Sequence, residues 1–186
     1  MLRNLLILVL IFNCFFCFSQ NKKTLIKEGN SLYNDSSYNM AEMKYRKSLE
    51  KDQDYFNAAF NLADAIYKQN RFEESTSLFD ALKDNARNNE DLARINHNLG
   101  NSYLKENKLE QAIEEYKSSL RLNPNDEETR YNLAYAQKMK QQQDQQQDQQ
   151  QDQQQDQQQD QQQNQQEDQQ EDCLLYTSDA ADERLR

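Results

Sequence analysis

ARINHNLGNSYLKENKLEQAIEEYKSSLRLNPND, residues 93–126, decides the fold. It reads as two amphipathic helices joined by a short polar turn. Leu99 and Tyr103 sit four apart, as do Ala112 and Tyr116, so each pair shares one helical face. Gly100, in mid-helix, costs ~1 kcal/mol relative to alanine, which implies the close approach of a neighbouring helix backbone. Ala112 is small where the second helix should cross the first, and Tyr116 and Leu120 continue its apolar stripe. Asn123-Pro124 stops that helix, because proline disfavours helical geometry in the residue before it. Residues 123–126 then offer polar capping groups to a following helix.

The same register runs backwards through the chain. In residues 57–83, Leu62-Ala63 with Ile66 replace Leu99-Gly100 with Tyr103, and Ser75 with Phe79 replace Ala112 with Tyr116. From Phe56 to Ala93 is thirty-seven residues rather than thirty-four, so three extra residues fall in the polar stretch 84–91, the expected irregularity. Gly29 with Leu32 and Ala41 with Tyr45 mark a first unit starting near Lys22. Glu28 there replaces the usual leucine, as suits a more exposed first helix. After Pro124, residues 127–140 read as a lone helix with Leu133-Ala134 in the Leu-Gly places, covering the apolar face of the last pair. The expectation is all-α: an α-solenoid of helix pairs 22–55, 56–92 and 93–126 plus a capping helix 127–140, seven helices in all. No strand pattern occurs.

The flanks are different material. In Met1–Ser19, Arg3 precedes an apolar run from Leu5 to Phe18 broken only by Asn13, and Cys17-Phe18-Ser19 resembles a small-x-small cleavage site. That run is short of the ~20 residues needed to span a bilayer. It reads as an export signal cleaved ahead of Gln20, with an uncleaved anchor as the alternative. Asn13 and Phe16, standing before Cys14 and Cys17, argue against a lipoprotein. Residues 141–172 are QQQD five times, then QQQN and QQED twice, without one apolar residue to bury. Their aspartates lie i,i+4 and repel one another along any helix, so this Gln/Asp tail is expected to be disordered or a frayed helix. CLLYTSDAADE, within residues 173–186, resembles the in-frame translation of a transposase-type sequencing adapter and is set aside as artefactual.

The formal net charge of −10 is a property of the tail. Residues 1–140 carry twenty Lys/Arg and twenty Asp/Glu, whereas residues 141–172 carry nine acids and no base. A neutral folded part beside an anionic tail argues against nucleic-acid binding. Two of the three cysteines leave with the signal and Cys173 is set aside, so cysteine catalysis and cysteine metal sites are excluded. His97 is the one histidine. HExxH, GxSxG and glycine-rich phosphate loops are absent; Glu114-Glu115 and Glu127-Glu128 read as solvated acids. No enzyme, cofactor or metal is expected.

Leu99-Gly100, Tyr103, Ala112, Tyr116 and Pro124 at these spacings resemble the tetratricopeptide (TPR) pattern, with Asn96 where that family often has tryptophan. The resemblance implies a concave groove, lined by the first helix of each pair, that binds an extended peptide or partner helix. Its groove positions fall on Ile26, Asn30 and Tyr33, then Phe60, Asn61, Asp64 and Tyr67. The third pair supplies Arg94, His97, Asn98 and Asn101, and the cap Tyr131 and Tyr135. One TPR class clamps a C-terminal carboxylate with two asparagines and three bases. Asn30, Asn61 and Arg94 match it, but Ile26 and Asn98 stand where two bases belong, so that activity is not expected. The signal, the repeats, NPNDEETRYNLAYAQKMK and the Gln-rich tail together resemble the BatC-type TPR component of the Bacteroidetes aerotolerance operon. This implies an envelope adaptor beside proteins with von Willebrand-type domains, linked to oxygen-stress tolerance. A periplasmic holdase-like chaperone, and more remotely a catalytic subunit with an unfamiliar site, are the alternatives.

Overall fold

A computed structural model describes residues 21–151. The expected signal, most of the Gln/Asp tail and the adapter-like segment lie outside the described residues. Of the described residues, 21–138 form one compact unit, and 139–151 belong to a second.

Six helices of the first unit form three pairs: α1 (Lys22–Asn34) with α2 (Tyr38–Lys51), α3 (Phe56–Lys68) with α4 (Phe72–Leu82), and α5 (Asn89–Lys105) with α6 (Leu109–Leu122). A seventh, α7, starts at residue 127 and completes the unit; residues 139–151 are helical too. No strand occurs among the described residues. None of their helices is long and apolar enough to cross a membrane.

The turn inside each pair is built the same way. Ser36, Asn70 and Asn107 take left-handed φ values of 58°, 62° and 59°. The next amide in each case reaches back five residues: Ser37 N to Leu32 O (2.8 Å), Arg71 N to Ile66 O (3.3 Å) and Lys108 N to Tyr103 O (2.9 Å). A left-handed residue followed by a bond across six residues closes a helix end by satisfying its last carbonyls. Asparagine tolerates that conformation better than serine does.

Three apolar clusters hold the stack. Tyr45, Ala41, Leu62 and Ile66 centre the first; Phe56, Phe60, Phe79, Ile95 and Leu99 the second; Ala112, Ile113, Tyr116 and Ala136 the third. Tyr45, Phe79 and Tyr116, in equivalent places, are all essentially inaccessible.

The reading of Gly100 needs correction. What approaches it is a side chain, not a backbone: a Cβ there would lie 2.5 Å from Tyr116 Cε1. Gly29 meets Tyr45 Cε1 at the same distance. The second pair has Ala63 and Phe79 in these places. The ring opposite alanine thus lacks the hydroxyl that, in the other two pairs, is tied to an asparagine.

The third pair also starts earlier than Ala93. After a short 3-10 turn at Lys83–Asn85, α5 begins at Asn89, with Asn88 Oδ1 accepting from Asp91 N at 2.8 Å. Arg87 holds the buried Asp91 carboxylate at 2.8 Å and lays its guanidinium 4.4 Å from the Phe56 ring centre. The extra residues of 84–91 therefore form a turn plus an additional helical turn.

Candidate functional site: the inner face of the first helices

The first helices lie side by side, and side-chain amides join α1 to α3 and α5 to α7. Tyr45 Oη donates to Asn30 Oδ1 at 2.8 Å, and Asn61 Nδ2, from the next pair, donates to the same oxygen at 2.9 Å. Tyr116 Oη donates to Asn101 Oδ1 at 2.7 Å, and Asn132 Nδ2 of α7 joins it at 3.0 Å. Two donors fill the two lone pairs of each amide oxygen. Asn30, Asn61 and Asn101 thus spend hydrogen bonds on joining neighbouring helices.

His97 extends the second of these sets. Thr129 Oγ1 donates to Asp126 Oδ2 (2.6 Å), so it accepts from His97 Nδ1 (2.6 Å). His97 Nε2 then accepts from Asn101 Nδ2 at 2.9 Å. In this arrangement Nδ1 is the donor and Nε2 the acceptor. Asp126 also accepts from Thr129 N at 3.1 Å and so caps α7, as the polar stretch before that helix led one to expect. Burial pushes the Asp126 carboxyl upward, but the bonds from Thr129 carry it below the usual carboxylate range.

The remaining groove positions are arranged unevenly. Ile26 and Phe60 are buried, Phe60 edge-on to Phe79 with ring centres 5.3 Å apart. Arg94 covers Phe60, its guanidinium 4.3 Å from the ring centre. Asn98 Nδ2 donates to Arg94 O at 3.0 Å within its own helix. A carboxylate clamp is therefore not assembled: Ile26 is core, Asn98 is tied to its own helix, and Asn30 is occupied by Tyr45 and Asn61. Tyr67 packs edge-on against Phe72 at 5.3 Å. Tyr131 and Tyr135 are exposed, at 72% and 49%.

Asn30, Tyr33, Asn61 and Asp64 do come together. With Asn34 and Tyr45 they line a cavity of about 250 Å³ open to solvent. Asp64 stands beside the Tyr33 hydroxyl as acceptor and charge, and burial with that carboxylate pushes the Tyr33 phenol far up. Burial and then Asp64 likewise raise Tyr45 to about 12 and lift Tyr67. All three stay protonated donors over the physiological range.

The groove positions did not include Asn34, Tyr45, Thr129 or Asn132. The thirty-four-residue register places Asn132 one repeat and its insertion-free spacing beyond Asn98, and thus in the place of Asn61, so that signal was available. Nothing in the sequence distinguished Tyr45 as cavity wall from Tyr45 as core. Among the described residues, no three His, Cys, Asp or Glu are grouped to hold a metal ion.

Comparison with known proteins agrees with this geometry. One tetratricopeptide-repeat model matches residues 26–90, and a second TPR repeat model matches residues 100–141. The fold is a tetratricopeptide solenoid. Among solved structures, the first TPR of Spaghetti (RPAP3) bound to the HSP90 peptide SRMEEVD is similar at TM-score 0.60 and 23% identity, covering 65% of this chain and 94% of that one. MamA from Desulfovibrio magneticus RS-1 gives 0.60 at 22% identity, over 64% of this chain and 66% of that one. The Sgt2 TPR domain from Aspergillus fumigatus gives 0.61 at 15%, over 67% and 82%. No curated protein sequence matches. Tetratricopeptide solenoids are in general protein-binding rather than catalytic.

Proposed function

We propose that this tetratricopeptide chain is a non-catalytic scaffold of the bacterial cell envelope, holding an extended segment of a partner protein along the inner face of α1, α3, α5 and α7. The carrying observation is the open cavity between α1 and α3, where Asn30, Tyr33, Asn61 and Asp64 converge. Stacked helix pairs use such faces for extended segments, and the similar Spaghetti and yeast Sti1 domains are described with HSP90-derived ligands. The apolar amino-terminal run after Arg3 supports export to the periplasm. The resemblance to the BatC-type aerotolerance component supports partners with von Willebrand-type domains and a place in oxygen-stress tolerance. Neither nucleic acid nor a cofactor enters this reading.

A photo-crosslinking residue at Tyr33 or Tyr131, expressed in the native envelope, tests it. One stoichiometric envelope partner is expected from both positions and none from Met43, an exposed residue of the second helix in pair one. Equal capture from Met43 would refute the inner face as the binding surface. The exposed Tyr131 and Tyr135 favour one alternative, a holdase that binds unfolded clients. That reading predicts many adducts and suppressed aggregation of a model client.

A further inference from the structure

Asp64 breaks a pattern that the other pairs keep. In pairs one and three the residue after the small helix-contact position is asparagine, Asn30 and Asn101. Each has its side-chain oxygen filled by a tyrosine hydroxyl of its own pair and an asparagine amide of the next helix. At the corresponding place in pair two stands Asp64, and both donors are withdrawn. The second helix offers Phe79, which has no hydroxyl, and Asn98 gives its amide to Arg94 O. A neutral acceptor filled by two donors has become a carboxylate that has lost both of them and keeps the Tyr33 hydroxyl beside it.

No lysine or arginine of the described residues forms an ion pair with that carboxylate. Lys68, one turn further along α3, places its ammonium 5.7 Å from the Tyr67 ring centre. Arg94 is held over Phe60 and lies 3.8 Å from Asp91. The negative charge instead acts on phenols: Tyr33, Tyr45 and Tyr67 each register it. A half-buried carboxylate among aromatic rings attracts a cation through charge, hydrogen bonding and ring quadrupole together. At about 250 Å³ the cavity falls below the ~300–1,000 Å³ of small-molecule sites, a size for one side chain.

We infer that the cavity lined by Asn30, Tyr33, Asn61 and Asp64 takes a lysine or arginine side chain of the bound segment, with Asp64 as its counter-ion. This rests on the inner-face reading above and gives it a polarity. The ligand peptide named for the Spaghetti structure, SRMEEVD, ends in acidic residues; this chain selects the opposite charge at the cavity.

The test uses the full chain, labelled for NMR, and four capped pentapeptides of alanine with lysine, arginine, glutamate or norleucine at the centre. The lysine and arginine peptides should shift the Asn61 and Asn30 side-chain amide resonances saturably, and added salt should weaken the effect. Asp64→Asn, which installs the residue that pairs one and three already carry, should weaken both at least tenfold while leaving the helical spectrum unchanged. Tyr33→Phe should weaken them less. Failure of the lysine and arginine peptides to shift these resonances overturns the inference, as does less than a twofold loss on Asp64→Asn. Glutamate or norleucine peptides binding there equally well would overturn the cation preference while leaving the inner face as a binding surface. The cross-linking experiment is independent of either result.

Discussion

Adding one methyl group at Gly100 tests the packing most sharply, because two effects of opposite sign meet there. In an exposed helix, Gly→Ala stabilises by ~1 kcal/mol through backbone entropy. Here the new Cβ would lie 2.5, 2.6 and 2.9 Å from Cε1, Cδ1 and Cζ of Tyr116. That ring cannot step aside cheaply: it is fully buried and its hydroxyl is fixed to Asn101 Oδ1 at 2.7 Å. Overpacking of this kind costs ~1–3 kcal/mol, and a ring that retreats forfeits a hydrogen bond worth ~1 kcal/mol. The steric terms exceed the propensity gain, so Gly100→Ala should destabilise by ~1–3 kcal/mol. Urea unfolding followed by far-ultraviolet circular dichroism would read this as a lower midpoint. Tyr116→Phe frees the ring, as in the Ala63–Phe79 pair, so it should cost less in the Gly100→Ala background than in the parent. A Gly100→Ala protein that gains ~1 kcal/mol would refute the close-contact argument, and additivity of the two changes would refute the role given to the hydroxyl.

Tyr116→Ala removes a fully buried ring and should cost ~3–5 kcal/mol, seen as a large fall in melting temperature. Asp126→Ala deletes the cap of α7 and should cost ~0.5–2 kcal/mol, with amide exchange increased first at residues 127–131. Glu42 accepts from Arg46 and Arg71 at 2.7 Å and from Gln69 at 2.8 Å; burial pushes its carboxyl up, but these bonds bring it below its ordinary value. A carboxylate lowered in the folded state contributes stability fully present above its unfolded pKa and lost as pH falls through the folded one. Unfolding titrations should therefore show stability declining below about pH 4.5, the ordinary glutamate value, and Glu42→Gln should flatten that decline. Ser36→Asn, matching the other two turns at left-handed φ, should raise the urea midpoint slightly, by less than ~1 kcal/mol.

The stack was legible in the sequence because its cause is periodic. Leu99-Gly100, Ala112 and Tyr116 recur with small variation at fixed spacing, and the pattern ties each to one face of one helix. What resisted reading was anything that depends on which donor meets which acceptor. Spacing places Asn30, Asn61 and Asn101 on the inner face. It does not reveal that two of their amide oxygens are filled by Tyr45, Asn61, Tyr116 and Asn132. Phe60 looked like groove surface because its position is right; Arg94, a full repeat away in sequence, is what covers it. The polar stretch at 84–91 gave its length but not its division into a 3-10 turn and an earlier start of α5.

Pairs one and three are made alike, and the middle pair is not, which divides the stitching of the molecule unevenly. Amide bonds run from Asn61 back to Asn30 and from Asn132 back to Asn101, while the corresponding rung from Asn98 to Asp64 is missing. On its inner side the seam between pairs two and three rests on rings and aliphatic chains under Arg94, and its polar bonds, Ser75 with Ser102, Thr76 with Glu106 and Lys83 with Glu115, involve the second helices. The inner edge of that seam, beside Asp64, is therefore where an arriving strand that spreads the groove breaks no amide bond between first helices.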